Sequence, residues 1–210
     1  MKLNNILLII LVLTLPLVII LTPTRFIIFN ENYYHKQFAK YNVYKQISDA
    51  DEVLHNITSF FKGKQELNVD LFTKNEKNHL KDVKILINKF LIVYYILLFV
   101  DGILIYFIIK KRAFKNLAKM FFLSSASIIS LSLLLYLLRN SFSTLFVKFH
   151  LIFFPQGNWQ FTLSSNLIKL FPEAFFYDTL YIIILISFII SLFLILTAIF
   201  LLSLIRRKSK

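Results

Sequence analysis

The stretch Phe90-Leu91-Ile92-Val93-Tyr94-Tyr95-Ile96-Leu97-Leu98-Phe99-Val100-Asp101-Gly102-Ile103-Leu104-Ile105-Tyr106-Phe107-Ile108-Ile109 decides the fold. It contains a single charged side chain, and as a helix it would span about 30 Å at 1.5 Å per residue, the thickness of a bilayer's hydrocarbon core. Only a helix satisfies every backbone polar group along such a run in lipid. Three further apolar runs lie at residues 6–21, 120–138 and 180–205. The first resembles a signal peptide with Lys2 ahead of it and Pro23 and Arg25 breaking it. It is too long for an h-region and no small-residue cleavage pattern follows, so an uncleaved signal anchor is expected. The fold class is therefore all-α membrane, with four transmembrane helices at about 6–22, 90–109, 120–138 and 180–205 in one domain spanning 1–210. Outer segments 26–89 and 139–179 are expected to form a small extracytoplasmic cap.

Composition agrees: 58% of the 210 residues are hydrophobic, more than a soluble domain of this length would bury. There is no cysteine, which excludes disulfides, thiol nucleophiles and thiolate metal sites. The net charge of +13 does not point to nucleic acid. Lys2, the group Lys110, Lys111, Arg112, Lys115 and Lys119, and the group Arg206, Arg207, Lys208 and Lys210 border apolar runs and include no acid. Clusters so placed are topology signals and contacts for anionic headgroups. They put both termini and the loop at 110–119 in the cytoplasm. The outer segments hold more basic residues in total, but at lower density and farther from helix ends.

The outer segments carry local structure. Ser48 or Asp49 is placed to cap a short helix whose apolar face is Val53, Leu54, Ile57, Phe60 and Phe61, with Gly63 stopping it. Leu67, Val69 and Leu71 alternate as a strand would. Thr73-Lys74-Asn75-Glu76 is a capping-box sequence with no helix breaker after it until Gly102, so the second membrane helix should begin well outside the bilayer. Pro155-Gln156-Gly157-Asn158 marks a turn amid many aromatic residues, which favour the membrane interface. Asn56-Ile57-Thr58 matches a glycosylation sequon, a common accident.

All four histidines fall outside the membrane runs. His79 has Glu76 and Asp82 three residues to either side, where either carboxylate could orient the imidazole, and Val83, Leu86 and Phe90 continue its face inward. A structural histidine within the cap is the plainer alternative. His150 sits in Phe149-His150-Leu151-Ile152-Phe153-Phe154-Pro155, apolar surroundings that are costly for an ionisable group without a partner or a task. Interfacial anchoring is its simpler explanation. His35 and His55 are expected in solvent. Asp101, deep in the second membrane helix and about 33 Å along a regular helix from His79, calls for a partner. Ser124, Ser125, Ser127, Ser130 and Ser132 could supply it in a packing role. One acid alone makes a poor ion path. No nucleophile motif, paired-histidine zinc motif or glycine-rich phosphate loop is present. Two histidines with a carboxylate leave a metal site open.

Two stretches then resemble a known family. Glu76-Lys77-Asn78-His79-Leu80-Lys81-Asp82-Val83-Lys84, together with Phe149-His150-Leu151-Ile152-Phe153-Phe154-Pro155-Gln156-Gly157-Asn158-Trp159-Gln160-Phe161 and the later Leu170-Phe171-Pro172-Glu173, is similar to the bacterial lipoprotein intramolecular transacylase (Lit) family. The resemblance implies four transmembrane helices under an extracellular cap, with His79 and His150 as the catalytic pair. It also implies the reaction. The sn-2 acyl chain of a diacylglyceryl lipoprotein moves to the α-amino group of its N-terminal cysteine, giving the lyso-form, with no cofactor and no metal. The implied partners are that lipoprotein and membrane lipid, with no nucleic acid, and the oligomeric state stays open. The contrasting readings are a non-catalytic membrane assembly or partner-binding protein and a metal-dependent membrane hydrolase.

Overall fold

The computed structural model describes residues 3–208, with the side chains of residues 3–5 and of Lys208 left aside; Lys2 and Lys210 of the basic clusters lie outside the described residues. Among the described residues there are helices and no strand. Four helices are long and apolar enough to cross a membrane: α1 (Leu3–Ile28), α4 (Lys74–Lys110), α5 (Phe114–Leu137) and α8 (Glu173–Lys208). Between them come α2 (Glu31–Lys40), α3 (Ala50–Phe61), α6 (Phe142–Phe153) and the one-turn α7 (Asn166–Leu170). At 1.5 Å per residue α4 is about 55 Å long, nearly twice the hydrocarbon thickness. Its first turns carry Lys74, Glu76, Lys77, Lys81, Asp82 and Lys84, so the membrane-spanning part is the apolar remainder from Phe90 onward.

The chain divides into two units. The first gathers the chain up to Thr24, Leu91–Leu138 and the chain from Ile182. Its inner face is built from Leu11, Leu15 and Ile19 of α1, Ile108 of α4, and Leu117, Met120 and Ile128 of α5. Large apolar side chains such as Leu13, Phe99, Leu133 and Phe193 stand exposed on the outer faces, as a lipid solvent requires. The expected break of the first helix at Pro23 does not occur: both Pro16 and Pro23 lie inside α1. Proline frees the carbonyl four residues earlier. For Pro23 that is Ile19 O; the Ser187 hydroxyl of α8 lies 3.4 Å from it and makes its shorter bond, at 2.8 Å, to Ile183 O of its own helix. Thr22 and Thr24 also bond back to Val18 O and Ile20 O.

Asp101 is buried, and its partner is not the serine row of α5. The Thr14 hydroxyl of α1 donates to Asp101 Oδ1 at 2.5 Å. Ser127 and Ser132 bond back to carbonyls of their own helix, and Ser124 and Ser125 are buried without a hydrogen bond. The bond is a helix-to-helix tie, worth about 0.6–1.7 kcal/mol in lipid. Asp101→Asn keeps an acceptor for Thr14 and is expected to preserve both fold and turnover. Thr14→Val or Asp101→Leu should lower the melting temperature in detergent while leaving specific activity intact. Loss of turnover in a normally melting Asp101→Asn protein would contradict this structural role.

The second unit comprises Arg25–Phe90 and Arg139–Tyr181. Its core includes Phe38, Leu54, Ile57, Phe72, Leu80 and Leu170. Asp49 stands at the N-cap of α3 but makes no side-chain capping bond, and Gly63 closes the helix end at φ +71°. The capping box does form. Thr73 N and Oγ1 each donate to Glu76 Oε2 at 2.8 Å, and Glu76 N donates to Thr73 Oγ1 at 3.3 Å. The strand expected at Leu67, Val69 and Leu71 is a correction: the segment is irregular and runs into a turn at Asp70 and Leu71, packs its apolar side chains on the core, and has no β partner among the described residues. The Asn56 carboxamide takes the place of a neighbouring strand. Its Nδ2 donates to Asn68 O at 2.9 Å and its Oδ1 accepts from Asn68 N at 3.2 Å, so the sequon asparagine is occupied structurally.

Candidate active site

His79 comes from the second turn of α4 and His150 from the last turn of α6, two elements of the second unit 71 residues apart in sequence. Their imidazole rings lie nearly parallel, at 28°, with centroids 6.2 Å apart. Both side chains are 8% exposed. Phe154 (4.9 Å) and Phe161 (5.7 Å) stand edge-on to His79. Phe146 (4.3 Å), Trp159 (4.8 Å) and Phe149 (5.5 Å) enclose His150. The ordering of this loop follows from local signals. Pro155 ends α6, and Gly157, at φ +77°, returns its N–H to Phe154 O at 3.1 Å. That turn brings Asn158 and Trp159 back to the histidines.

His150 Nδ1 donates to Phe146 O at 2.8 Å. A carbonyl only accepts, so Nδ1 carries the proton and Nε2 of the neutral ring keeps its lone pair. The two carboxylates that spacing allowed as partners of His79 bond elsewhere, Glu76 in the capping box already marked by the sequence. Glu76, 1% exposed, accepts from Thr73 at one oxygen, and from Ser165 Oγ (2.6 Å) and Leu167 N (2.8 Å) at the other, tying the start of α4 to α7. Burial alone would push its carboxyl up, but the combined hydrogen bonds outweigh that and hold it below the usual range. Asp82 Oδ2 accepts from Gln156 Nε2 at 2.9 Å and Asn158 Nδ2 at 2.6 Å. His35 pairs with Asp51 and His55 with Glu31, with side chains open to solvent, as expected for solvated residues. Among the described residues no His, Asp and Glu cluster could hold a metal ion. Asp82 was marked by its spacing from His79, but as a direct partner of the ring; Asn158 was read only as part of the turn, and the link between the two was not legible in the sequence.

Burial, then the neighbouring His150, pushes the His79 imidazole down to about 4, against the opposing pull of Asn158 and Asp82. Burial also lowers His150, against its bond to Phe146 O. His79 is therefore neutral near pH 6, and burial biases the His150 ring toward its neutral form. An unfolded chain protonates its histidines near about 6.5, so between that pH and about 4 the unfolded state binds more protons than folded His79 does. This contribution to stability is complete above about pH 6.5 and is lost as pH falls toward 4. The melting temperature should thus fall less steeply between pH 6.5 and 4.5 in His79→Phe than in wild type; parallel slopes would refute the neutral, buried state.

A profile of the family described as lipoprotein intramolecular transacylase Lit matches residues 9–176. The chain belongs to this family. Among solved structures it is similar to the in meso structure of the membrane integral Lit of Bacillus cereus, with a TM-score of 0.87 and 19% identity over 97% of this chain and 98% of that one. Two structures of the Bacillus cereus protein with one histidine replaced, by arginine and by alanine, match at TM-score 0.80 and 18% identity. They cover 99% and 97% of this chain and 95% and 96% of theirs. No curated protein sequence matches. At such identities the structures speak for the fold, and the profile for the family. As a Lit-family member the chain is a multi-pass membrane protein and an acyltransferase, a lipoprotein intramolecular transacylase.

Proposed function

We propose that this chain moves the sn-2 acyl chain of a diacylglyceryl lipoprotein onto the α-amino group of the N-terminal cysteine, with His79 and His150 carrying the proton transfers in a cap on the outer face. The observation that supports this best is the histidine pair itself: two buried imidazoles from separate segments, ring to ring at 6.2 Å inside an aromatic enclosure. Nucleophile and electrophile belong to one substrate molecule, so no enzyme serine or cysteine is needed. Attack of the amine on the ester carbonyl closes a ring of about eight atoms, which forms reluctantly, and holding the folded conformer supplies several kcal/mol. The amine loses a proton as the N–C bond forms, and the glyceryl oxygen gains one as the C–O bond breaks. A proton accepted by one imidazole is the proton returned, so the balance closes within the pair. The aromatic walls exclude water, which would otherwise hydrolyse the ester, and favour the neutral amine over the ammonium.

By the positive-inside rule the basic clusters at 110–119 and 206–210 favour the cytoplasmic side for those stretches, which supports reading residues 26–89 and 139–179 on the face where mature lipoproteins are found. The reading is tested by mass spectrometry of lipoprotein N-termini from cells with and without the protein. Its presence should convert free-amine diacylglyceryl termini to N-acylated lyso-forms of unchanged mass. Termini that keep a free amine in both cell types would overturn it.

A further inference from the structure

Buried polar atoms nearly always have hydrogen-bond partners, yet three around the histidine pair have none: His79 Nδ1, Asn158 Oδ1 and Trp159 Nε1. The Asn158 amide is not free to turn. Its NH₂ group must face Asp82, whose carboxylate only accepts and which takes hydrogen bonds from both Asn158 Nδ2 and Gln156 Nε2. The left-handed backbone of Gly157, between the two amides, lets both reach one carboxylate. Asn158 Oδ1 is thereby fixed as an acceptor pointing away from Asp82. A loop anchor would need only the NH₂ side and would leave no reason to bury an unanswered oxygen. The ring whose charge Asn158 steadies is that of His79, whose Nδ1 is the complementary unanswered atom.

We infer that Asp82 and Asn158 are positioning residues for His79: in the reacting complex Asn158 Oδ1 accepts the His79 Nδ1 proton, and Asp82 holds the amide in that orientation. This rests on the function proposed above and deepens it. The bond selects the tautomer with a bare Nε2, which accepts the substrate's amine proton as the N–C bond forms. The extra proton on the ring strengthens Nδ1–H···Oδ1 and is given up to the glyceryl oxygen as its ester bond breaks. Neither atom closes the bond in the present geometry, and catalytic hydrogen bonds of this kind tighten once the substrate is bound. His150, with Nδ1 committed to Phe146 O, has its tautomer set by its own helix. The two histidines thus reach the same protonation pattern by different supports.

The test combines nitrogen-15 NMR of histidine-labelled protein in detergent with kinetics on a synthetic diacylglyceryl lipopeptide. Wild-type His79 should hold the Nδ1–H tautomer, and Asn158→Ala should lose that preference. Asn158→Ala should also lower kcat about 10²-fold, the low end of a positioned acid–base contribution, with little change in KM. The swapped pair, Asp82→Asn with Asn158→Asp, restores an acceptor toward Nδ1 and should recover the tautomer. It also sets a carboxylate against the ring, so the acid limb of kcat should move to higher pH, which mere repair of a loop anchor would not do. An unchanged His79 tautomer in Asn158→Ala, or a swapped pair with the wild-type acid limb, overturns the inference. If Asn158→Ala does not fold, the swapped pair decides alone. The tautomer is read with a diacylglyceryl lipopeptide of blocked amine bound, which cannot react, so absence of transacylation in wild type would count against the proposed function and not against this arrangement.

Discussion

His79→Ala and His150→Ala are each expected to lower transacylation by about 10²–10⁴-fold, the range for a positioned general acid or base, while both proteins reach the membrane in normal amounts. The loss should appear in kcat, because the aromatic walls that would hold the acyl chains and glyceryl unit remain. The double variant should be little worse than the worse single one, since residues that act as a unit do not lose activity additively. His35→Ala and His55→Ala are the controls. Their rings pair with Asp51 and Glu31 in solvent and should leave turnover near wild type. Near-normal turnover in either buried variant would remove that histidine from the mechanism.

The largest stability effect is expected at Glu76. Each of its oxygens receives one backbone N–H, from Thr73 at one and Leu167 at the other, besides a hydroxyl. The hydroxyls can reverse their role, but the two N–H groups cannot. Glu76→Gln must therefore turn its own NH₂ toward one of them, which makes this a disruptive change despite equal shape. Leaving one buried backbone donor unanswered costs about 1–3 kcal/mol, and Glu76→Ala, which strands both, should cost about twice that. Thermal unfolding in detergent measures it, with Glu76→Gln falling between wild type and Glu76→Ala. The acid side has a definite sign. The folded carboxyl is held below its ordinary value, so its stabilisation is present above the unfolded value and is lost as pH falls through the folded one. Glu76→Gln should lack that acid-dependent loss. A Glu76→Gln protein as stable as wild type would show the carboxylate to be dispensable.

The membrane helices were legible because length against bilayer thickness is a strong constraint, and α4, α5 and α8 cover the expected spans. Where α1 ends was not. Pro23 reads as a breaker in water, but in the helix bundle the chain stays helical through it, with the Ser187 hydroxyl of a neighbouring helix near the freed carbonyl. Leu67, Val69 and Leu71 have the period of a strand, yet a strand requires a pairing partner, and a single asparagine side chain filled that place. The histidines were legible as ionisable groups among apolar neighbours. Their supports were only partly so: spacing allowed Glu76 and Asp82 as direct partners of His79, whereas Glu76 closes the capping box the sequence also marked and Asp82 holds a distant turn. Likewise Asp101 found Thr14, 87 residues away, over the nearer row of serines. Long-range polar pairing depends on which helix faces meet, and hydrophobic periodicity does not record that.

The most direct test of the account is a crossover experiment with the purified protein. A lipopeptide carrying both a deuterated sn-2 acyl chain and a heavy-isotope peptide is mixed with its unlabelled counterpart, and the N-acylated products are read by tandem mass spectrometry. The account predicts that every deuterated acyl chain reaches the nitrogen of its own heavy peptide, and that neither His79→Ala nor His150→Ala forms appreciable product. Deuterated chains on light peptides, or full turnover without either histidine, would contradict it.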